Sequence, residues 1–252
     1  MRIDQPTPED VPQLRQLWKK AFADGDDYLD IFFSHAFDPA RCRCITENGQ
    51  ILAALYWFRV SCNNQKFAYL YAIATDPVHR GKGLCRMLVE NTKQLLTADG
   101  FCGVLLVPDG DGLAGMYRKM GFEFCTSIEE FTCCASDVPV SFRRIDGTEY
   151  ARQRRNYLPE NAVIQEGENL ALLNKLCEFY AGEDWIAAAS IQKNRLHCSE
   201  FLGNTNAAPG FLAALGCTRG NFRVPGNRIP FAMHCSLQPE SVIPQYFAFA
   251  FD

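Results

Sequence analysis

Ala72-Ile-Ala-Thr-Asp-Pro-Val-His-Arg-Gly-Lys-Gly-Leu-Cys85 is the stretch from which the rest of the chain can be read. An apolar run ends at Thr75, Asp76-Pro77 turns the chain, and an amphipathic segment starts just after the glycines at 81 and 83. This is a strand–loop–helix joint. A helix start offers unpaired N–H groups and a positive dipole end, and glycines let that backbone approach a phosphate closely. The arrangement is an anion cradle, and Arg80 and Lys82 add charge to it. Taken alone, Arg-Gly-Lys-Gly reads equally well as a glycine-bearing turn between solvated basic residues.

The surroundings favour the cradle. Upstream, Arg2–Asp4 predicts a short strand, and Thr7 with Pro8 predicts the start of a helix to about Phe22 with Val11, Leu14, Leu17, Trp18 and Phe22 as its apolar stripe. A second helix is expected over Asp27–Ala36. Strands are expected at Cys42–Glu47 and Ile51–Val60, joined by an Asn48-Gly49 hairpin turn, and then at Lys66–Thr75. Strict alternation on this last strand puts Phe67, Tyr69, Tyr71, Ile73 and Thr75 on one face. Downstream come a helix over Lys82–Ala98 with Leu84, Met87, Leu88, Thr92 and Leu95, a strand at Gly103–Val107, and a helix at Gly112–Met120. Strands near Phe122–Cys125 and Glu130–Cys134 close the first half. The short helix carries Ala114-Gly-Met-Tyr-Arg-Lys-Met-Gly-Phe122, with a tyrosine four residues before Gly-Phe.

With both motifs in this order and spacing, residues 1 to about 135 resemble the GNAT N-acetyltransferases. The family's pyrophosphate motif, Arg/Gln-x-x-Gly-x-Gly/Ala, is matched at Arg80 and Gly83, with Cys85 at its last position. The resemblance implies an α/β (α+β) GNAT fold, a mixed, mostly antiparallel sheet flanked by helices. It also implies acetyl-CoA as cofactor, held by Arg80, Gly81, Lys82, Gly83, Leu84 and Cys85 and by the main chain of Ile73, Ala74 and Thr75. Tyr117 is then the acid that protonates the departing thiolate. Cys85 departs from the pattern. It is read as a tolerated small residue, although a thiol at a helix start can have a lowered pKa.

The acceptor is a primary amine, on a small molecule or at a peptide amino group. A general base is not evident, because the strand Lys66–Thr75 has no carboxylate. Tyr69 and Tyr71 either line the acceptor cleft or pack the sheet. Asp26 and Asp27 either attract the cationic amine or serve as helix caps. Two rival readings stay open: an acyl-CoA-sensing module without catalysis, and transfer of a longer acyl or an aminoacyl group.

Val138-Pro139 marks a linker, so 1–137 reads as the acetyltransferase domain and 138–252 as a second, smaller module. That module is expected to hold helices at Thr148–Tyr157, Asn169–Tyr180 and Pro209–Leu215. Its strands are expected at Trp185–Ile191, Leu196–Leu202, Asn221–Val224 and Phe231–Ser236, with a last one at Tyr246–Phe251. Pro209-Gly-Phe-Leu-Ala-Ala-Leu-Gly216 is similar to the closing helix–strand part of a GNAT fold, so the module reads as a degenerate GNAT-like copy. It carries no phosphate cradle, and its expected part is in the acceptor pocket, with the carboxylates of Asp252 as an outside candidate for the base. Arg152, Arg154 and Arg155 read as a solvated helix face.

Composition narrows the function further. The net charge is −4 and neither half is basic, which points away from nucleic acid and anionic membranes. No apolar run is long enough to span a bilayer, and Met1–Asp10 is too polar and acidic for a secretory leader, so a cytoplasmic protein is expected. The twelve cysteines form no Cys-x-x-Cys pair; they read as reduced, mostly buried thiols, and no metal site is expected. Monomer and homodimer are both open.

Overall fold

The computed structural model describes residues 1–248. It divides into two compact units, Met1–Glu123 with His234–Val242, and Phe124–Met233 with Ile243–Asp252.

The first unit opens with β1 (Arg2–Asp4), α1 (Val11–Phe22) and α2 (Asp26–His35). A sheet follows in β2 (Cys42–Glu47), β3 (Gln50–Cys62) and β4 (Gln65–Thr75). Then come α3 (Leu84–Ala98), β5 (Gly103–Leu106), α4 (Gly110–Arg118) and β6 (Glu123–Phe124). Local chemistry sets these bounds. Thr7 and Asp10 form a capping box around a short 3-10 turn at Pro8, which feeds α1. Asn48 and Gly49 both take positive φ, as the turn between β2 and β3 requires, and Asn63 and Asn64 do the same between β3 and β4. β1 to β4 form an antiparallel meander. β5 joins β4 in parallel through α3. Strand β3 is buried without interruption from Ile51 to Phe58, as expected when helices cover both faces of a sheet.

The second unit holds β7 (Ser127–Cys134), β8 (Arg143–Ile145), α5 (Gly147–Arg154), α6 (Glu168–Leu176), β9 (Glu178–Ala181) and β10 (Trp185–Gln192). It continues with β11 (Arg195–Gly203), α7 (Ala208–Leu215), β12 (Arg219–Pro225) and β13 (Ile229–Pro230). The last strand, β14 (Met233–Ser236), lies in the first sheet. The two sheets run β1-β2-β3-β4-β5-β14-β6 and β13-β7-β12-β11-β10-β9-β8. In the second sheet β8 to β11 form an antiparallel meander, and β12 joins β11 in parallel through α7. Its core stacks Trp185 on Phe201, with ring centroids 5.2 Å apart, and places Phe211 4.7 Å from the Trp185 ring.

Several expectations change. The strand at 130–134 does not finish the first sheet; it pairs along its length with β12, from Ile128↔Pro225 to Cys134↔Arg219. Asn169–Tyr180 is not one helix. Cys177 is extended, and the β-favouring Phe179-Tyr180 pairs with β8 and β10 instead. At the tail, Tyr246 forms a single bridge with Ala162, and residues 249–252 of the expected last strand, with Asp252, lie outside the described residues.

Arg154 is the largest change. It is not solvated but buried, 2 % exposed. Its Nε and Nη2 donate to the Glu200 carboxylate at 2.6 and 2.8 Å, and its Nη1 donates to the Val163 carbonyl. The hydroxyls of Tyr150 and Tyr246 donate to the same carboxylate at 2.7 and 3.0 Å. Burial opposes the Arg154 charge, but Glu200 outweighs it and holds the guanidinium pKa above its ordinary value. Three separate stretches of the second unit therefore meet on one carboxylate.

His234 on β14 fits where Gly103 on β5 has no side chain; a Cβ at Gly103 would lie 2.5 Å from Nε2 of His234 and 2.6 Å from Phe67. Burial lowers the His234 pKa from 6.5 to about 4. The folded state therefore resists protonation that the unfolded chain accepts. Stability from this group is intact above the unfolded pKa and is lost as pH falls from 6.5 towards 4. Denaturant titrations should show wild type losing about 2 kcal/mol more than His234→Asn across that window, after allowance for partial screening. Parallel losses in both proteins would refute this.

Candidate functional site

The site begins where β4 leaves its neighbour. The β4–β5 register runs from Phe67↔Gly103 to Tyr69↔Leu105, while β4 itself continues to Thr75. Past Tyr69 the strand keeps β3 on one side and leaves its other edge outside the ladder. Ile73, Ala74 and Thr75 lie on this stretch.

A bulge sits in the same stretch. Tyr56 faces Tyr71 and Ala54 faces Ala74, so between these pairs Leu55 alone on β3 lies opposite Ala72 and Ile73 on β4. Ala72 takes up the extra residue at φ 47°, a left-handed conformation uncommon for alanine. The bulge reverses the alternation. Tyr69, Tyr71 and Ala74 share a face with Phe58, Tyr56 and Ala54, and Thr75 opposes Ala53 on the other, so Thr75 does not share the face of Tyr71 as strict alternation predicts.

The loop that follows is tied down at several points. The Asp76 carboxylate accepts from the Val78 N–H at 3.1 Å and from Lys20 Nζ on α1 at 2.8 Å. Lys20 holds the Asp76 carboxyl below the usual carboxylate range. Arg80 donates from Nε to the Thr75 carbonyl at 3.3 Å. Gly81 and Gly83 have φ of 77° and 78°, which only glycine adopts without strain, and a Cβ built on either would meet nothing within 4 Å. Among the described residues no side chain caps α3. The first bond of its ladder is Met87 N–H to the Gly83 carbonyl, so the amides of Leu84, Cys85 and Arg86 precede it and face outward from the helix start. Arg80 and Lys82 are exposed beside them.

Tyr117 is placed by the way α4 ends. Gly121, at φ 85°, is the left-handed residue that stops the helix. The Gly121 N–H bonds to the Arg118 carbonyl and the Phe122 N–H to the Tyr117 carbonyl, the two bonds of a Schellman motif. The hydrophobic contact of that motif is Phe122 on Tyr117, edge to face at 5.8 Å. The spacing of tyrosine before Gly-Phe is thus a helix stop that pins the tyrosine ring. Tyr117 is 6 % exposed. Burial first, then the neighbouring Cys85 thiol, push its hydroxyl well above an ordinary tyrosine. The same burial raises the Cys85 thiol to about 11. A lowered thiol pKa at the helix start is therefore not found.

Of the acceptor-side residues, Tyr69 is buried and stacks on Phe58. The Tyr71 hydroxyl is hydrogen-bonded to that of Tyr28 on α2. Asp26 is exposed and paired with Lys19 at 2.5 Å and Arg15 at 3.5 Å; the Lys19 hydrogen bond is the main cause that lowers its pKa. Asp27 is exposed on the first turn of α2. A different carboxylate, Asp24, is held by Trp18 Nε1 at 2.8 Å, and its charge is among those that raise the Tyr71 hydroxyl. No sequence signal links Asp24 and Tyr28 with Tyr71, because the association is made by the packing of α1 and α2 on β4.

The acetyltransferase (GNAT) domain family matches the chain over residues 2–125. Residues 2–125 are a GNAT acetyltransferase domain. The GNAT domain thus contains the bulged strand, the glycine loop and Tyr117. A search of the curated proteins found no match to the sequence. Among solved structures, the chain resembles a GCN5-related N-acetyltransferase from Anabaena variabilis at a TM-score of 0.75 and 13% identity, covering 94% of this chain and 73% of that one. A second, from Kribbella flavida, gives a TM-score of 0.72 at 15% identity, covering 92% and 70%. A probable N-acyltransferase from Enterococcus faecalis gives 0.70 at 16% identity, covering 95% and 73%. At these identities the likeness establishes the fold: mixed sheets flanked by helices, in agreement with the expected class. No helix among the described residues is long and apolar enough to cross a membrane. None of the twelve cysteines, all among the described residues, is in a disulfide; six are buried, five are partly buried and Cys134 is exposed.

Proposed function

We propose that this GNAT domain transfers an acetyl group from acetyl-CoA to a primary amine, on a small molecule or at a peptide amino group, in the cytoplasm. The observation that carries the reading is the open end of β4 running into the glycine start of α3. The open edge of β4 at Ile73–Thr75 suits the amides of a pantetheine arm. The start of α3, with Arg80, Gly81, Lys82, Gly83, Leu84 and Cys85, suits a pyrophosphate. Cys85, on the first turn of that helix, is close enough to Tyr117 to add to the rise of its hydroxyl pKa. Acetyl-CoA, when bound, supplies the thioester that the amine attacks. The hydroxyl of Tyr117 donates its proton to the departing sulfur. We assign no second cofactor site to residues 138–252. There the turn between β11 and α7 runs through Asn204–Ala207, and α7 starts at Ala208-Pro209 without the glycine pair.

The lack of a carboxylate on β4 supports a second reading, an acyl-CoA sensor that does not turn over. Release of free thiol from acetyl-CoA with a panel of primary amines separates the two. Calorimetry should give one CoA per chain. Gly83→Val should cost about 1–2 kcal/mol of stability, because valine is strained at positive φ, yet remain folded. It should weaken CoA binding at least tenfold by placing branches against the phosphates. Unchanged affinity in the folded variant would remove the cradle assignment.

A further inference from the structure

The transfer reaction needs the acceptor's ammonium to lose a proton, and β4 offers no carboxylate for it. The structure has a titratable cluster next to the bulge instead. Trp18 is its hub. The indole ring lies 5.8 Å from the Tyr71 ring and 6.2 Å from the Tyr28 ring, and its N–H holds the Asp24 carboxylate. The two tyrosine hydroxyls are hydrogen-bonded to each other. Tyr71 immediately precedes Ala72, where the strand bulges.

We propose that the pair Tyr71–Tyr28, ending on Asp24, is the route by which the acceptor ammonium is deprotonated; this rests on the acetyl-transfer reading above. The ammonium N–H bond breaks and its proton goes to the Tyr71 oxygen, while the proton of Tyr71 passes to the Tyr28 oxygen. The proton of Tyr28 passes to the Asp24 carboxylate, which is partly exposed and returns it to solvent. The amine is left neutral with its lone pair for attack, and neither tyrosine changes its net charge.

Burial, then the charges and hydrogen bond of Tyr28, with Tyr69 and Asp24 adding to them, push the Tyr71 hydroxyl well above an ordinary tyrosine. Such a hydroxyl stays protonated at working pH, which suits a relay and not a tyrosinate base. The titratable groups facing it are Tyr28 and Asp24 from the α2 side and Tyr69 on its own strand, with Tyr56 opposite on β3. Asp26 is engaged by Arg15 and Lys19. Tyr69 and Tyr56 belong to the packing of the sheet face.

The test uses Tyr71→Phe and Asp24→Asn in the full chain, with an amine that wild type acetylates. Phenylalanine keeps the ring contacts, so stability and the KM for acetyl-CoA should hold. At pH 7 kcat/KM for the amine should fall about 10²-fold. The deficit should shrink as pH rises towards the amine's own pKa, because unprotonated amine needs no relay. Independently of turnover, NMR of ring-labelled tyrosine should show the Tyr71 and Tyr28 signals shifting together in Asp24→Asn. A deficit that is the same at every pH, or absent, or tyrosine signals indifferent to Asp24, would overturn the relay and leave acetyl transfer standing. Wild type inert towards every amine would overturn the transfer reading itself.

Discussion

Tyr117→Phe is expected to bind acetyl-CoA as tightly as wild type and to turn over about 10²–10⁴-fold more slowly, the usual worth of a positioned general acid. The ring contact with Phe122 and the helix stop at Gly121 survive the change, so only the hydroxyl is removed. A strongly raised tyrosine pKa looks at first unfavourable for a proton donor. The neighbouring thiol shows why it is not. In that same environment burial raises Cys85 to about 11, above an ordinary thiol. A thiolate departing there is likewise destabilised by burial and becomes a stronger base. Donor and recipient are raised by the same cause, so burial does not by itself set them far apart; the tyrosine remains the weaker acid, and its proton moves as the C–S bond breaks rather than to a finished thiolate. Steady-state kinetics with paired calorimetry decides the matter; undiminished turnover in the phenylalanine variant would mean that another group protonates the sulfur.

Glu200→Ala is expected to be the most damaging single substitution in the second unit, costing about 3–5 kcal/mol. The carboxylate is fully buried and accepts hydrogen bonds from Arg154, Tyr150 and Tyr246. Its removal takes away the carboxylate that accepts from Arg154 Nε and Nη2 and leaves a buried guanidinium without that counter-charge. Replacing both charges, as in Arg154→Met with Glu200→Leu, should recover a large part of the loss, because the penalty lies in the unpaired charge. Urea unfolding of the single and double variants measures it. A single variant within about 1 kcal/mol of wild type would show that water or local relaxation replaces the carboxylate.

What could be read from the sequence was what short-range chemistry dictates. Asn48-Gly49 reads as a tight turn, Thr7-Pro8 as a helix start, and the glycines at 81 and 83 as a loop before a helix, whose left-handed backbone the structure then shows. Gly121-Phe122 marked the end of α4 for the same reason. The misses are features decided at long range. Nothing in Lys66–Thr75 announces a bulge at Ala72; it follows from how β4 must meet β3. Arg154 sits between two other arginines and looked solvated, because its partner Glu200 is 46 residues away. Phe179 and Tyr180 continued an apparent helix until strand neighbours claimed them. Asp26 and Asp27 were the conspicuous carboxylates at the start of α2, whereas Asp24 is the one that an indole N–H holds.

Strand β14 has a consequence for how the protein is made. The first sheet runs β5-β14-β6, so a strand from residues 233–236 separates two that are complete by residue 124. The family match ends at residue 125, yet a ribosome that has released only that much chain has not supplied the strand which closes the sheet. Until about a hundred further residues emerge, β5 and β6 each present an open edge, the kind of surface that recruits other chains. The GNAT domain therefore waits for a strand that lies about a hundred residues further along the chain, and its completion is a high-contact-order event. An expression fragment cut at the family boundary would carry every residue of the cradle and Tyr117, and still lack the piece that makes their scaffold whole.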